Sequence, residues 1–186
     1  MYFATSNLNK IEEVKKILKD YPVKIKHIDK KKPEIQANDV EEIALRSAAW
    51  IAQEVERPIF VEDDGLFIKA LNGFPGPYAA YIFETIGKRG ILKLLDEQMN
   101  RKAIFKSVIA FCAPKKDPIC FIGVVSGQIS MEERGAYGFG YDPIFEPENG
   151  PGKTFGEMTM CEKIRYSHRG KSVKKFVSWY LESTTE

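Results

Sequence analysis

The chain is short of the side chains that build sulfur and imidazole chemistry. It holds three cysteines, Cys112, Cys120 and Cys161, and two histidines, His27 and His168. The cysteine number is odd and no CxxC pair occurs, so neither a disulfide framework nor a zinc site is expected. Two distant histidines suggest no His-based metal cluster or triad. Neither sign of charge dominates: 28 Lys+Arg against 26 Asp+Glu leave a formal +2. That balance excludes the global field of a DNA-binding or anionic-membrane protein. Long apolar runs are also missing. The longest, Val108 to Ala113, is far below the roughly 18 residues that a membrane span needs. Polar residues begin at Thr5, so no signal-peptide core is expected at the N-terminus. These absences read as a reducing cytoplasm and no membrane partner.

What is present is an ordinary globular composition. Apolar residues make up 44% and aromatic residues 12% of 186 positions, which excludes disorder as the main state. The length favours one domain spanning 1–186, with no linker to divide it. Tyr2-Phe3-Ala4 reads as a strand and Thr5 to Asn9 as a polar loop. Ile11, Val14, Ile17 and Leu18 then repeat at helical spacing. Val23, Ile25 and His27 alternate with lysines, a strand pattern. A helix follows from an N-cap at Asn38 or Asp39, with Val40, Ile43, Ala44, Ser47, Ala48 and Ile51 on one face. Ile59-Phe60-Val61 is a buried-type strand running into the acidic turn Glu62-Asp63-Asp64-Gly65. Leu66-Phe67-Ile68 continues extended to a turn at Asn72-Gly73. A helical stretch interrupted at Gly87 and Gly90 comes next. Ala103 to Ala113 and Ile119 to Ser130 should form a hairpin, and a helix runs near Gly170 to Leu181. The mixture of βα units and a hairpin predicts an α/β fold with a mixed sheet.

Two phosphate-binding signatures fail on inspection. Gly152-Lys153-Thr154 ends like a P-loop, but the earlier glycine position is Pro147 and no strand leads in. Gly138-Phe139-Gly140 opens like a dinucleotide fingerprint, yet position 143 is proline. The run Lys30 to Lys32 reads as a solvated edge.

Four clusters remain. Glu62, Asp63 and Asp64 lie after a buried strand, where ligands bind in α/β proteins. Adjacent carboxylates repel, and a hard cation such as Mg²⁺ relieves this; a solvated acidic turn is the plain alternative. Glu34 is a possible further ligand. Thr5, Ser6, Asn7, Leu8, Asn9 and Lys10 stand at a helix start, where hydroxyls, amides and a lysine suit phosphate oxygens. Capping by Asn9 or Ser6 explains the polar residues equally well, but not Lys10, since cations are disfavoured there. Lys163, Ser167-His168-Arg169 and Lys171 form the most basic stretch, suited to a polyphosphate or RNA, or to a solvated helix face. Phe139-Gly140-Tyr141-Asp142-Pro143 offers an aromatic ring to a base in a loosened loop, or simply packs. Metal site, phosphate grip and aromatic loop are the parts that bind a Mg²⁺–nucleoside triphosphate, with a metal-activated water as the natural nucleophile.

In this order the clusters resemble the inosine triphosphate pyrophosphatase, or Ham1-like, family. The resemblance runs from Phe3 to about Phe176. It rests on Thr5-x-Asn7-x-x-Lys10, Pro33-Glu34-Ile35-Gln36, Glu62-Asp63-x-Gly65-Leu66, Phe74-Pro75-Gly76, Phe139-Gly140-Tyr141-Asp142-Pro143, Phe155-x-Glu157-Met158 and Ser167-His168-Arg169-Gly170-Lys171. The context of Glu34 is similar to archaeal members. The resemblance implies an elongated mixed β-sheet with flanking helices forming two lobes around a central cleft, and a homodimer. It implies cleavage of ITP, dITP and XTP to the monophosphate and pyrophosphate. Thr5 to Lys10 would hold phosphates and ribose. Glu34 and Asp63 would bind Mg²⁺, with Asp63 also the proton acceptor. Phe139, Gly140, Tyr141 and Asp142 would enclose the base, Lys163 would bind substrate, and His168 and Arg169 would contact the purine. Position 64 is Asp where the family commonly has a substrate-contacting Ser. Ser47 stands, beside Arg46, where many bacterial members carry a lysine. A Maf-like pyrophosphatase of other base specificity and a non-catalytic RNA-binding protein are the rival readings.

Overall fold

The computed structural model describes residues 1–30, 33 and 35–183. Glu34 therefore lies outside the described residues. Seven strands and six helices are present among them: β1 (Tyr2–Ala4), α1 (Leu8–Leu18), β2 (Lys26–Ile28), α2 (Val40–Val55), β3 (Ile59–Ile68), β4 (Pro75–Gly76), α3 (Ala79–Thr85), α4 (Gly87–Leu94), β5 (Lys102–Cys112), β6 (Ile119–Ile129), β7 (Phe145–Pro147), α5 (Met160–Tyr166) and α6 (His168–Ser183). The sheet order is β2-β1-β3-β5-β6-β7, with β4 paired to β3. β1 runs parallel to β2 and β3, while β3–β4 and β6–β7 are antiparallel. The expected α/β class with a mixed sheet is what the chain forms.

Three expectations about local structure change. The acidic segment is not a turn, because Glu62, Asp63 and Asp64 lie inside the ten-residue strand β3. Extended backbone sends alternate side chains to opposite faces, which separates neighbouring carboxylates without a bend. β2 is confined to Lys26–Ile28, so Val23 and Ile25 precede the strand. The helical stretch breaks at Gly87 alone, where φ is +63°, and Gly90 lies inside α4.

The chain forms two compact units: Met1–Asp63, Ser107–Gly123 and Arg169–Glu186 in the first, Asp64–Lys106 and Val124–His168 in the second. It passes between them within β3, β5 and β6 and at the start of α6, which is why no linker composition marks a boundary. The first unit buries Ile11, Val14, Ile17 and Leu18 of α1, Ala44, Ala48 and Ile51 of α2, and Val173, Phe176 and Val177 of α6. Phe3 stacks on Phe60 at 4.5 Å, and Phe176 adjoins Phe60 at 4.9 Å. The second unit is built on Leu66, Ile68, Ile91, Leu95, Phe105, Ile144, Phe145, Phe155 and Met158. Gly65 permits the close β3–β4 approach, since a Cβ there would lie 2.8 Å from the Gly76 carbonyl oxygen.

Candidate active site

In the first unit, β1 delivers the Thr5–Lys10 loop to the head of α1. The N-cap is Asn7, not Asn9 or Ser6. Its Oδ1 accepts from the backbone N–H groups of Asn9 (3.0 Å) and Lys10 (3.3 Å). Thr5 Oγ1 accepts from the Asn7 N–H at 3.1 Å. Leu8 is exposed. These bonds hold the first turn of the helix, whose other N–H groups are oriented toward any incoming anion.

Lys10, unexplained by capping, is explained by Glu62. Its Nζ pairs with Glu62 Oε2 at 2.9 Å and donates to the Glu62 carbonyl at 3.3 Å. Glu62 Oε1 accepts from Ser107 Oγ at 2.6 Å and faces Arg169 Nε at 3.2 Å. Arg169 Nη1 donates to Glu13 Oε2 at 2.6 Å. Ser107 Oγ also meets Ser172 Oγ at 2.8 Å, and Ser172 Oγ donates to the Arg169 carbonyl at 3.2 Å. Two cations and two carboxylates thus balance inside the first unit. Arg169 is 1% exposed, Glu13 2% and Glu62 3%. Burial without such pairing costs several kcal/mol per ion. Asp63, next to Glu62 on β3, is half-buried and points from the opposite face of the strand.

Sequence reasoning missed Glu13, Ser107 and Ser172. Glu13 carries a signal, being a carboxylate within the stripe Ile11, Val14, Ile17 and three residues after Lys10. Ser107 carries another: it sits in the inward register of β5 between Phe105 and Ile109, where apolar residues otherwise alternate.

In the second unit, Asp142 ties the aromatic loop to α5. Its Oδ2 accepts from the Phe139 N–H (2.8 Å) and from Lys163 Nζ (2.8 Å). Lys163 is 4% exposed, and its ammonium lies 4.9 Å from the Phe139 ring centre and 5.7 Å from that of Phe155. α5 starts from a capping box in which Thr159 and Glu162 bond reciprocally. That bonding holds the Glu162 carboxyl below the usual carboxylate range. Gly138 has φ +74°, and a Cβ there would collide with Asp142 Oδ2 at 2.0 Å; the loop needs glycine on both counts. Gly140 follows at φ +60°. The Tyr141 side chain turns into the core: its hydroxyl donates to the Ala79 carbonyl at 3.0 Å and its ring meets Phe83 edge-on at 5.4 Å. Burial raises its phenol above the ordinary tyrosine value. His168 stacks on Phe105 with ring centres 4.4 Å apart and planes 8° apart. Asp64 Oδ2 stands 3.9 Å from His168 Nε2. Lys163 and His168 of the basic stretch are therefore buried and partnered, whereas Lys171 is exposed.

The second unit gathers Asp64, Phe139, Gly140, Tyr141, Asp142, Lys163 and His168; the first gathers Thr5 to Lys10, Asp63 and Arg169. Ser47 is fully buried on α2, with no hydrogen-bond partner for its Oγ among the described residues. Arg46 is spent on Glu42 at 2.7 Å.

Comparison with known proteins identifies the family. The Ham1 family model matches residues 1–179, and the chain belongs to that family. It is 50% identical over 178 residues to the dITP/XTP pyrophosphatase of Methanopyrus kandleri, covering 96% of this chain and 94% of that protein. It is 49% identical to the dITP/XTP pyrophosphatase of Thermococcus kodakarensis, covering 97% of each. Among solved structures, the HAM1 protein of Coxiella burnetii superposes with a TM-score of 0.85 at 30% identity, covering 97% of this chain and 98% of that one.

Proposed function

We propose that this chain is a nucleoside-triphosphate pyrophosphatase that hydrolyses dITP, ITP and XTP to the monophosphate and pyrophosphate, clearing deaminated purines from the nucleotide pool. The observation that carries the reading is in the first unit. There Glu62 fixes the Lys10 ammonium at the head of a capped helix, on the residue next to the carboxylate of Asp63. A cation and a helix N-terminus thus stand together in one short stretch of structure, suited to a polyphosphate, and Asp63, the next residue along β3, is the candidate base.

In this reading Thr5 to Lys10 take the phosphates and ribose. Asp63 orients the water and accepts its proton as the water oxygen bonds to the α-phosphorus. The α–β phosphoanhydride bond breaks and pyrophosphate leaves. A placed general base contributes about 10²–10⁴-fold. The Phe139 loop encloses the base, with Lys163 held by Asp142 beneath the ring. Tyr141 serves that loop from the core side. His168 and Arg169 face the purine oxygen at position 6, where adenine has an amino donor. Donors left unpaired by the wrong base reject it by up to about 10⁴–10⁵. Arg169 is anchored by Glu13 and Glu62, and Asp64 lies beside His168.

The metal reading is Mg²⁺. Among the described residues no group of three or more metal-ligating side chains occurs, and Asp63 and Asp64 point to opposite faces of β3. One chain carboxylate per face fits an ion that binds through one or two carboxylates and otherwise keeps waters and phosphate oxygens. Asp63 with Glu34 would hold it, and it would neutralise charge on the transferring phosphoryl group. We place the enzyme in the cytoplasm as a homodimer, with no nucleic-acid partner. No helix among the described residues is long and apolar enough to cross a membrane.

The test is a panel of ITP, dITP, XTP, ATP and GTP, with pyrophosphate and orthophosphate measured separately, with Mg²⁺ and with EDTA. Mg²⁺-dependent pyrophosphate release from the first three is expected. Stepwise orthophosphate release, or equal turnover of ATP, would overturn the assignment.

A further inference from the structure

We infer that His27 is a positioning residue for the phosphate loop, acting through the carbonyl of Thr5; this rests on the function proposed above. His27 lies on β2, whose register places it opposite Phe3 of β1. From there its side chain passes beyond the end of the β1 ladder, where the Thr5 N–H makes the last bond, to the Ile28 carbonyl at 3.2 Å. His27 Nε2 stands 2.7 Å from the Thr5 carbonyl oxygen. A carbonyl oxygen only accepts, so Nε2 carries the hydrogen and donates.

The bond does more than anchor a strand end. A trans peptide is planar, and its C=O and N–H point in opposite directions. Turning the Thr5 carbonyl toward His27 therefore turns the Ser6 N–H away from it. That amide has no hydrogen-bond partner among the described residues, and Ser6 is exposed. On its other side, the Thr5 hydroxyl is fixed by the Asn7 N–H, and Asn7 caps α1. His27 thus holds the Thr5–Ser6 peptide, which neither the β1 ladder nor the Asn7 cap holds. Both the neutral Nε2–H tautomer and the imidazolium make this bond, so positive charge is not required.

That last point makes the idea testable. His27→Ala removes the donor; His27→Gln restores a neutral N–H donor at a similar reach. Steady-state ITP kinetics of both are compared with the parent, and inhibition by inorganic pyrophosphate probes the phosphate subsite without a base. We expect His27→Ala to raise KM for ITP and the inhibition constant for pyrophosphate together, by about two- to tenfold, the span of one net hydrogen bond. kcat should stay within about twofold, ITP and XTP should be affected alike, and the thermal midpoint should be unchanged. His27→Gln should return both constants to within about twofold of the parent. If Gln is as impaired as Ala, the histidine works by charge or packing and the inference falls. If Ala matches the parent, the Thr5 carbonyl needs no donor and the inference also falls. Absence of ITP cleavage in the parent protein overturns the functional reading instead, so the two failures are distinct.

Discussion

Glu62→Gln tests whether the buried ion cluster in the first unit is a balanced whole. The substitution keeps shape and volume but removes a charge. One Glu62 oxygen serves Lys10 at 2.9 Å, and the other serves Ser107 at 2.6 Å and Arg169 at 3.2 Å. An amide has one acceptor and one donor end, so either Lys10 or the Ser107–Arg169 pair would face N–H groups. Two cations would then share the single carboxylate of Glu13, with Arg169 still 1% exposed. Removing one partner of a buried ion pair costs about 3–5 kcal/mol. For a chain of this size each kcal/mol lowers the midpoint by about 2–4 °C, so a drop of about 6–20 °C is expected. The control is Glu12→Gln on the solvent side of α1. Glu12 and Lys15 pair at 3.0 Å, with 63% and 53% of their side chains exposed. Exposed pairs contribute at most about 1 kcal/mol. Urea unfolding at pH 7.5, followed by circular dichroism, measures both variants. A Glu62→Gln loss below about 1 kcal/mol, indistinguishable from the control, would refute the claim that Glu62 compensates buried charge; such a loss would also lie far under the 3–5 kcal/mol above.

Three further outcomes are expected. Asp63→Asn should lower kcat for ITP by about 10²-fold or more, the lower range for a lost general base, while Asp64→Ser should leave kcat within about tenfold, or about 1.4 kcal/mol; the reverse order in steady-state kinetics would shift the assignment by one residue along β3. Burial raises the Tyr141 phenol, so the unfolded state releases its proton first. The stability this group contributes is therefore complete below about pH 10 and declines above it, by up to about 1.4 kcal/mol per pH unit; urea midpoints at pH 9 and 11 should fall less for Tyr141→Phe than for the parent, and equal slopes would count against the raised phenol. Asp142→Asn should raise KM for ITP and destabilise the second unit together, because one oxygen holds both Lys163 and the Phe139 N–H; a change in KM with an unchanged melting curve would mean that Asp142 meets substrate directly.

The candidate site residues were more legible in the sequence than the bonds that hold them. Thr5 to Lys10, Asp63, Phe139 to Asp142, Lys163 and His168-Arg169 stand out by residue type and position, and the strand–loop–helix opening follows from spacing alone. Their partners do not. Arg169 is held by Glu13, 156 positions away, Lys10 by Glu62, 52 away, and Glu62 by Ser107, 45 away. No local pattern encodes such pairs, because they depend on how α1, β3, β5 and α6 are brought together. This is also why the acidic segment read as a turn. Viewed locally, Glu62, Asp63 and Asp64 repel, and solvent or a cation is the evident remedy. In the fold, a strand sends Glu62 and Asp63 to opposite faces, and two cations from distant helices neutralise the inward one. The same reasoning explains the basic stretch near residue 165, which by charge patterning alone suits a solvated face. Lys163 is instead drawn inward by Asp142 and Arg169 by Glu13 and Glu62. A buried Lys or Arg must be paired, so carboxylates at inward positions, such as Glu13 in the apolar stripe of α1, are where a sequence should be searched for the partners of its buried cations.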